Sequence, residues 1–184
     1  TGLALPSPVL GRPISYAIYE PPSGGPLPVL YLLHGLGGNE RDWLSAGGLA
    51  ATLDAEIAAG RVPPLAVVLP MGRDSWYVDD PDGAGPVHRA FTTDLVDAAE
   101  RRHGIGGCRA ARAVGGLSMG GYGAVLAALA RPDAYAAAIS LSGSLFPEMA
   151  DGAPARPVHM FGRVFGDPFD RRRFNAWNVF VRLA

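Results

Sequence analysis

Residues 114–123 read VGGLSMGGYG and contain the pattern Gly-x-Ser-x-Gly around Ser118. The residues from Ala111 to Val114 predict a short buried strand before it. The segment from Met119 to Ala130 predicts a helix that ends at Arg131-Pro132, because proline interrupts helical hydrogen bonding. A strand, a sharp turn and a helix are the context in which this pattern exposes a serine hydroxyl above a sheet, as a nucleophile elbow.

The elbow makes two physical demands that these residues meet. A side chain at Gly116 or Gly120 would collide with the adjoining strand or helix, so both positions must be small. The N-terminus of the following helix has free N–H groups that favour negative charge near Ser118. The five-residue pattern alone also fits a glycine-rich turn used only for packing. The flanking strand and helix favour Ser118 as a nucleophile.

A second informative stretch follows a continuous apolar run at Val29–Leu33, which predicts a central strand buried on both faces. The chain then reads HGLGGN from His34 to Asn39. A strand that ends in His-Gly and further glycines is typical of the loop that supplies an N–H group to an oxyanion hole. We interpret His34 as a structural residue that holds this loop with Gly35, rather than as a catalytic base.

A third apolar run, Leu65–Pro70, predicts another buried strand, and it leads into residues 71–80. Ligands of open α/β sheets bind beyond the carboxyl ends of the strands. We therefore expect this loop to line a pocket, with Trp76 and Tyr77 in its wall; ordinary packing of both rings is the alternative.

The remaining pattern alternates strands with helices, which predicts a single α/β domain over residues 1–184 with a mostly parallel sheet and helices on both faces. Residues 144–184 are irregular and rich in proline, arginine and aromatic side chains, so we expect a lid-like or surface segment there. The other expected elements are a half-buried strand at 14–19, a helix at 49–59, a helix from Thr92 or Thr93 to His103, and a buried strand at 136–143.

Charge and hydropathy argue against nucleic acid and membranes as partners. The formal net charge is −1, which does not favour nucleic acid or an anionic membrane surface. No apolar run reaches the length of a membrane-spanning helix. The chain begins at Thr1 rather than at methionine, and both a cytoplasmic and a secreted location stay open.

The sequence offers no pattern for a metal or a cofactor. The four histidines show no ligand spacing, and Cys108 is the only cysteine. The glycines at 35–38 do not form the Gly-x-Gly-x-x-Gly pattern of dinucleotide-binding proteins. We expect no bound metal and no cofactor. The histidines are His34, His88, His103 and His159, and we expect His88 to lie in a loop before Arg89, exposed or at the rim of the pocket.

Several motifs together carry a resemblance to a known family. The sequence resembles the esterase D-like group of α/β-hydrolases, which includes S-formylglutathione hydrolases, feruloyl and acetyl esterases and the antigen 85 mycolyltransferases. The similarity runs from about Pro6 to Asp170. It rests on YLLHGLGG at 31–38, Trp43, the Trp76-Tyr77 loop, FTTDL at 91–95 and GLSMGGYGA at 116–124.

The resemblance implies an α/β-hydrolase fold and the chemistry of a serine carboxylesterase. Ser118 would be the nucleophile, and the backbone N–H groups of Leu36 and Met119 would form the oxyanion hole. The substrate would be a small ester, hydrolysed through an acyl-enzyme. Transfer of the acyl group to an alcohol, as in the antigen 85 relatives, is an alternative.

The chain departs from the family after residue 143. In α/β-hydrolases the acid and then the histidine follow the serine. No strand is evident here to carry the acid, and pairing of Asp151 with His159 would place both in one short irregular segment. We therefore expect the sequence to be the N-terminal two-thirds of the fold, without the last strands.

Two consequences follow from that expectation. An uncovered sheet edge favours association with a second copy, so we expect that a homo-oligomer can form. A non-catalytic role in binding or assembly also stays open for a chain without the acid and the base.

Overall fold

The computed structural model describes residues 2–82, 85–150, 152, 161 and 164–184. Six strands form one sheet in the spatial order first, second, fourth, third, fifth, sixth. The strands are β1 (Leu3–Leu5), β2 (Ile14–Tyr19), β3 (Val29–Leu33), β4 (Ala66–Pro70), β5 (Arg112–Leu117) and β6 (Ala137–Leu141). Two ladders are antiparallel, β1 with β2 and β2 with β4, whereas β3, β4, β5 and β6 run parallel.

Helices cover both faces of this sheet, as the apolar runs of β3 and β4 require. Successive side chains of a strand point to opposite faces, so Leu32 packs in one apolar cluster and Tyr31 in the other. The described helices are α1 (Asp42–Ser45), α2 (Leu49–Ala58), α3 (Val87–Thr92), α4 (Asp94–His103), α5 (Met119–Ala130), α6 (Arg171–Ala176) and α7 (Val179–Leu183), with a 3₁₀ turn at Arg109–Ala111. None of these helices is long and apolar enough to span a membrane.

Most expected elements are present, but the region before α4 differs from the prediction. Residues 87–92 form α3, so His88 lies in a helix and not in the expected loop. Thr93 stands between the two helices, yet its hydroxyl donates to the carbonyl of Arg89 and does not cap α4. The side chain of His88, expected to be exposed, is only 8% exposed because α3 packs against the core.

The expectation that the strand at 136–143 is buried is wrong for the described residues. All five residues of β6 are exposed, including Ile139 and Leu141 at 44% each. Its apolar composition is that of an inner strand, but β6 pairs only with β5 and forms the edge of the described sheet. Association of a second copy with this edge stays a prediction.

The described part of residues 144–184 is more tightly packed than a surface lid. Phe161, Phe165 and Phe174 are buried in one aromatic cluster. The side-chain amide of Asn175 donates to the carbonyl of Met149 at 2.9 Å, while its oxygen accepts from the N–H group of the same residue at 3.0 Å. Packing of these buried rings therefore holds the described part of this segment against the core, although its sequence shows no helix or strand periodicity.

The topology places three loops side by side. Strands β4, β3 and β5 are neighbours and parallel, and Leu33 of β3 is in register with Gly116 of β5. Their carboxyl ends therefore lie at the same edge of the sheet. The loops that follow them are residues 72–77, residues 34–38 and the turn at Ser118, and they form the candidate site.

Candidate active site

Ser118 occupies a strained turn between β5 and α5. Its backbone angles are φ 54° and ψ −113°, which lie in the left-handed half of conformational space that non-glycine residues rarely adopt. The Ser118 N–H donates to the carbonyl of Leu141 at 2.9 Å. Its carbonyl accepts from the N–H groups of Tyr122 and Ser144 at 3.0 and 3.1 Å. The elbow is therefore held from both β6 and α5.

The glycines on either side of the elbow are required sterically, as the sequence predicts. A Cβ atom on Gly116 would overlap the backbone of Gly120. A Cβ atom on Gly120 would in turn overlap the carbonyl groups of Leu33 and His34. Close contact between β5, α5 and the end of β3 brings the serine next to the loop that follows β3.

That loop, residues 34–38, is called the glycine loop below. A Cβ atom built on Gly35 would lie 3.8 Å from the Cβ atom of Ser118, so the two backbones run side by side. Among the described residues, neither the N–H of Leu36 nor that of Met119 has a hydrogen-bond acceptor. Within the described part of the chain, the site therefore combines a half-buried serine with two backbone donors that have no acceptor, on the two segments that border it.

His34 is held at both ring nitrogens. Nε2 accepts a hydrogen bond from the N–H of Gly72 at 2.9 Å, and this fixes the ring proton on Nδ1. Nδ1 then donates to the carbonyl of Gly35 at 2.8 Å. Since the ring is buried and both nitrogens are engaged, His34 supports the glycine loop and has no lone pair available to Ser118.

The described residues contain no base for Ser118. Its hydroxyl oxygen lies 3.2 Å from that of Ser144, which is its only hydrogen-bond partner within the described ranges. His88 donates from Nδ1 to the carbonyl of Tyr77, and His103 bonds the hydroxyl of Tyr16 in β2, which β4 and β3 separate from β5. The remaining candidates from the sequence, Asp151 and His159, lie outside the described residues.

The structure places Trp76 and Tyr77 in the core and not on an open pocket wall. They are 3% and 2% exposed. Trp76 packs against aromatic rings that include Phe161, at 4.8 Å between ring centroids. The hydroxyl of Tyr77 donates to the carbonyl of His34 at 3.1 Å, and burial raises the pKa of Tyr77. The alternative from the sequence, a packing role for both rings, describes them better.

An open cavity of about 370 Å³ lies beside the glycine loop. It extends from this loop to α1 and to the exposed side chain of Leu117, the residue before the serine. Its lining is mostly apolar and includes Leu36, whose N–H is one of the two donors without an acceptor among the described residues. The lining residues are His34, Gly35, Leu36, Gly38, Asp42, Trp43, Ala46, Gly47 and Leu117.

Two contributors to the site were not found from the sequence. Asp74 accepts a hydrogen bond from the N–H of Gly37 at 2.7 Å, and Ser144 contacts Ser118. Each lies beyond the carboxyl end of a strand, which is the position that marks ligand-binding loops in this class of sheet. The individual contacts depend on backbone angles that the sequence does not reveal. In the described part of the chain, no group of three or more histidine, cysteine or acidic residues is arranged to hold a metal ion.

Comparison with known proteins identifies the family and the fold of the chain. The family model named Esterase matches residues 7–180, nearly the whole chain. The chain belongs to this esterase family. The chain also has the α/β-hydrolase fold: it superimposes on a solved ferulic acid esterase with a TM-score of 0.77 over 96% of this chain and 69% of that one, at 23% identity.

Two curated proteins are similar to this chain over most of its length. An acetyl esterase of Caldicellulosiruptor saccharolyticus is 32% identical over 147 residues, which cover 77% of this chain and 53% of the relative. The MPT51/MPB51 antigen of Mycobacterium tuberculosis is 35% identical over 170 residues, which cover 88% of this chain and 52% of the antigen. The chain spans about half the length of the curated relatives it matches.

Proposed function

We propose that the protein is a serine carboxylesterase that hydrolyses small esters through an acyl-enzyme on Ser118. The observation that carries the proposal is the elbow itself. Ser118 is held at φ 54° between β5 and α5, beside a glycine loop in which the N–H of Leu36 has no acceptor among the described residues. Hydrogen bonds from β6, from α5 and from Ser144 maintain the backbone strain, and such strain is typical of functional positions.

The proposed reaction begins when the Ser118 hydroxyl attacks the ester carbonyl and gives its proton to a base. Oxygen then carries a negative charge, which the N–H groups of Leu36 and Met119 stabilise. Collapse of this intermediate expels the alcohol, which takes the proton from the base. Water repeats the sequence on the acyl-enzyme and releases the acid. One oxyanion donor is typically worth roughly 10²–10³ in rate.

The base and its acid partner are proposed to lie outside the described residues. All three described histidines are engaged elsewhere, at Gly35 and Gly72, at Tyr77, and at Tyr16. Since the relatives are about twice as long as the matched region, the activity is a proposal for the full-length protein.

The test is hydrolysis of p-nitrophenyl acetate by the full-length protein, together with labelling by a fluorophosphonate probe. We expect both in the wild type, and neither in Ser118→Ala. Ser45→Ala, on α1, removes a hydroxyl that donates only to the carbonyl of Arg41, and serves as the matched control. Retained hydrolysis in Ser118→Ala would contradict the proposed nucleophile.

Acyl transfer to an alcohol is a second candidate, and the similarity to the MPT51/MPB51 antigen supports keeping it, because the sequence also resembles the antigen 85 relatives. The nucleophile and the first half of the reaction are the same. Product analysis with added glycerol or an added sugar separates the two, since a transferase forms an ester of the added alcohol faster than free acid. A full-length protein that does neither and is not labelled would favour the non-catalytic alternative.

A further inference from the structure

We propose that residues 72–77, here called the clamp loop, orient the glycine loop for catalysis, with His34, Asp74 and Tyr77 as positioning residues. The inference rests on the proposed function, in which the N–H of Leu36 is an oxyanion donor. It goes beyond that function because it assigns the orientation of this donor to a loop on a different strand. Three consecutive peptide groups of the glycine loop depend on the clamp loop, the first and third through direct hydrogen bonds and the second through the His34 ring.

The first peptide group joins His34 to Gly35. Its carbonyl accepts a hydrogen bond from the hydroxyl of Tyr77 at 3.1 Å. The same carbonyl lies directly against Gly120 of α5, where a Cβ atom would come within 2.7 Å of it. The end of β3 is therefore fixed between the clamp loop and the helix that follows the nucleophile.

The second peptide group joins Gly35 to Leu36 and carries the proposed donor. Its carbonyl accepts from His34 Nδ1 at 2.8 Å and from the N–H of Gly38 at 3.1 Å. In a trans peptide the C=O and N–H bonds point in opposite directions. These two bonds therefore direct the Leu36 N–H away from the His34 ring. The ring is itself fixed by the N–H of Gly72 in the clamp loop.

The third peptide group joins Leu36 to Gly37. Its N–H donates to the carboxylate of Asp74 at 2.7 Å. Gly37 has φ 72°, which allows the chain to turn at this point. With the N–H held by Asp74, the carbonyl of Leu36 must point the other way. The glycine loop thus has no free peptide rotation on either side of the proposed donor.

The clamp loop is itself held in a strained conformation by internal hydrogen bonds and by burial. Arg73, Trp76 and Tyr77 all have positive φ, at 50°, 52° and 53°, which is costly for side chains of this size. The hydroxyl of Ser75 compensates by donating to the carbonyl of Gly72 at 2.6 Å and accepting from the N–H of Tyr77 at 3.1 Å. Burial of both aromatic rings holds the strained backbone in place.

The Tyr77 ring also connects the clamp loop to α5. A Cβ atom on Gly123 would lie 2.6 Å from this ring, and one on Gly72 would overlap it. The ring therefore packs between two glycines, Gly72 in the clamp loop and Gly123 in α5. Donors that are fixed before substrate binds require no reorganisation during the reaction, and this is the advantage that such a clamp provides.

Asp74 gives the sharpest test, because it is exposed and its replacement leaves the core unchanged. We would compare Asp74→Ala with Asp74→Asn in the full-length protein, using p-nitrophenyl acetate. The asparagine amide oxygen can still accept from Gly37, whereas alanine cannot. We expect kcat to fall about tenfold in Asp74→Ala, the size of one lost hydrogen bond, with KM nearly unchanged, and to recover in Asp74→Asn.

Tyr77→Phe tests the second anchor, with thermal unfolding measured in parallel so that kcat is compared between folded proteins. We expect a loss of kcat of similar size. Tyr19→Phe is the matched control, because its hydroxyl bonds Asp54 on the opposite face of the sheet, away from the site.

Each outcome separates the clamp from the function on which it rests. Wild-type protein that neither hydrolyses the ester nor reacts with a fluorophosphonate would overturn the proposed function, and the catalytic role of the clamp with it. An active wild type in which Asp74→Ala keeps full kcat would overturn the clamp alone. Equal losses in Asp74→Ala and Asp74→Asn would show that the charge matters and not the hydrogen bond, and would also overturn it.

Discussion

The hydroxyl oxygens of Ser118 and Ser144 lie 3.2 Å apart, and the Ser144 N–H donates to the Ser118 carbonyl at 3.1 Å. This two-point contact restricts the rotation of the Ser118 side chain. Replacing Ser144 with alanine removes one hydrogen bond and leaves the backbone contact. We expect fluorophosphonate labelling of the full-length protein to slow by about 2- to 10-fold, the usual net value of one such bond.

Ser144→Thr is the matched variant, because threonine keeps the hydroxyl group. Its labelling rate is expected to lie closer to the wild-type rate than that of Ser144→Ala. Equal rates for the wild type and Ser144→Ala would contradict any influence of Ser144 on the nucleophile.

Gly123→Ala should destabilise the protein although alanine favours helices. The added methyl group would lie 2.6–2.7 Å from three carbon atoms of Tyr77, and one of them is Cβ, so rotation of the ring alone would not relieve the contact. We expect a loss of about 1–3 kcal/mol in the free energy of unfolding, measured by urea denaturation. Gly25→Ala is the control, since a methyl group added at Gly25 would meet no atom within 4 Å and Gly25 does not have positive φ. Equal stability of both variants would argue against tight packing between Tyr77 and α5.

Local sequence signals were sufficient for the central part of the fold. The run at 29–33 is β3 with the expected bounds, and the helix expected from Met119 to Ala130 is α5. The small residues at Gly116 and Gly120 are explained by the elbow geometry that the pattern demands. These features are predictable because each depends on neighbours in sequence: strand, turn and helix share one short segment.

Features that depend on distant contacts were not predictable. Trp76 and Tyr77 are buried with positive φ, which side chains of their size rarely adopt. Contacts from distant segments, such as the ring of Phe161 against Trp76 and Gly123 against Tyr77, accompany this conformation. Asp74 reaches Gly37 only because β4 and β3 are neighbours in the sheet. The exposure of β6 likewise depends on what lies beside it, which its apolar sequence does not indicate.

A bidentate ion pair between Glu100 and Arg112 connects α4 to β5. Arg112 donates to the two carboxylate oxygens at 2.6 and 2.8 Å, and each side chain is only 12% exposed. Arg112→Met would leave a mostly buried carboxylate without its cation. We expect the free energy of unfolding to fall by about 3 kcal/mol in urea denaturation. The double variant Glu100→Leu with Arg112→Met should recover part of this loss, since it removes the unpaired charge.

The Glu56–Arg61 pair provides the control for that measurement, because it has similar distances but lies at the surface. Arg61→Met should leave stability unchanged, since exposed ion pairs contribute little. Equal effects at Arg61 and Arg112 would contradict the importance of burial for the inner pair.

The stability of the protein should also depend on pH through His88. Burial lowers the pKa of His88 below its usual value of 6.5, and Arg182 lowers it further, while the hydrogen bond to the Tyr77 carbonyl and the charge of Asp79 act in the opposite direction. Its Nε2 atom has no hydrogen-bond partner among the described residues, so a proton there would be buried without an acceptor.

The sign of the effect follows from proton uptake. Below pH 6.5 the unfolded chain protonates His88 more readily than the folded one, so stability is fully present above this value and is lost as the pH falls from 6.5 towards the folded pKa. His88→Asn keeps a side-chain amide that can donate to the Tyr77 carbonyl, but it does not titrate. We would measure the free energy of unfolding of both proteins on either side of pH 6.5. The wild type should lose more stability on acidification than His88→Asn, because the other titrating groups are common to both. Parallel pH profiles would show that His88 keeps its ordinary pKa in the folded protein.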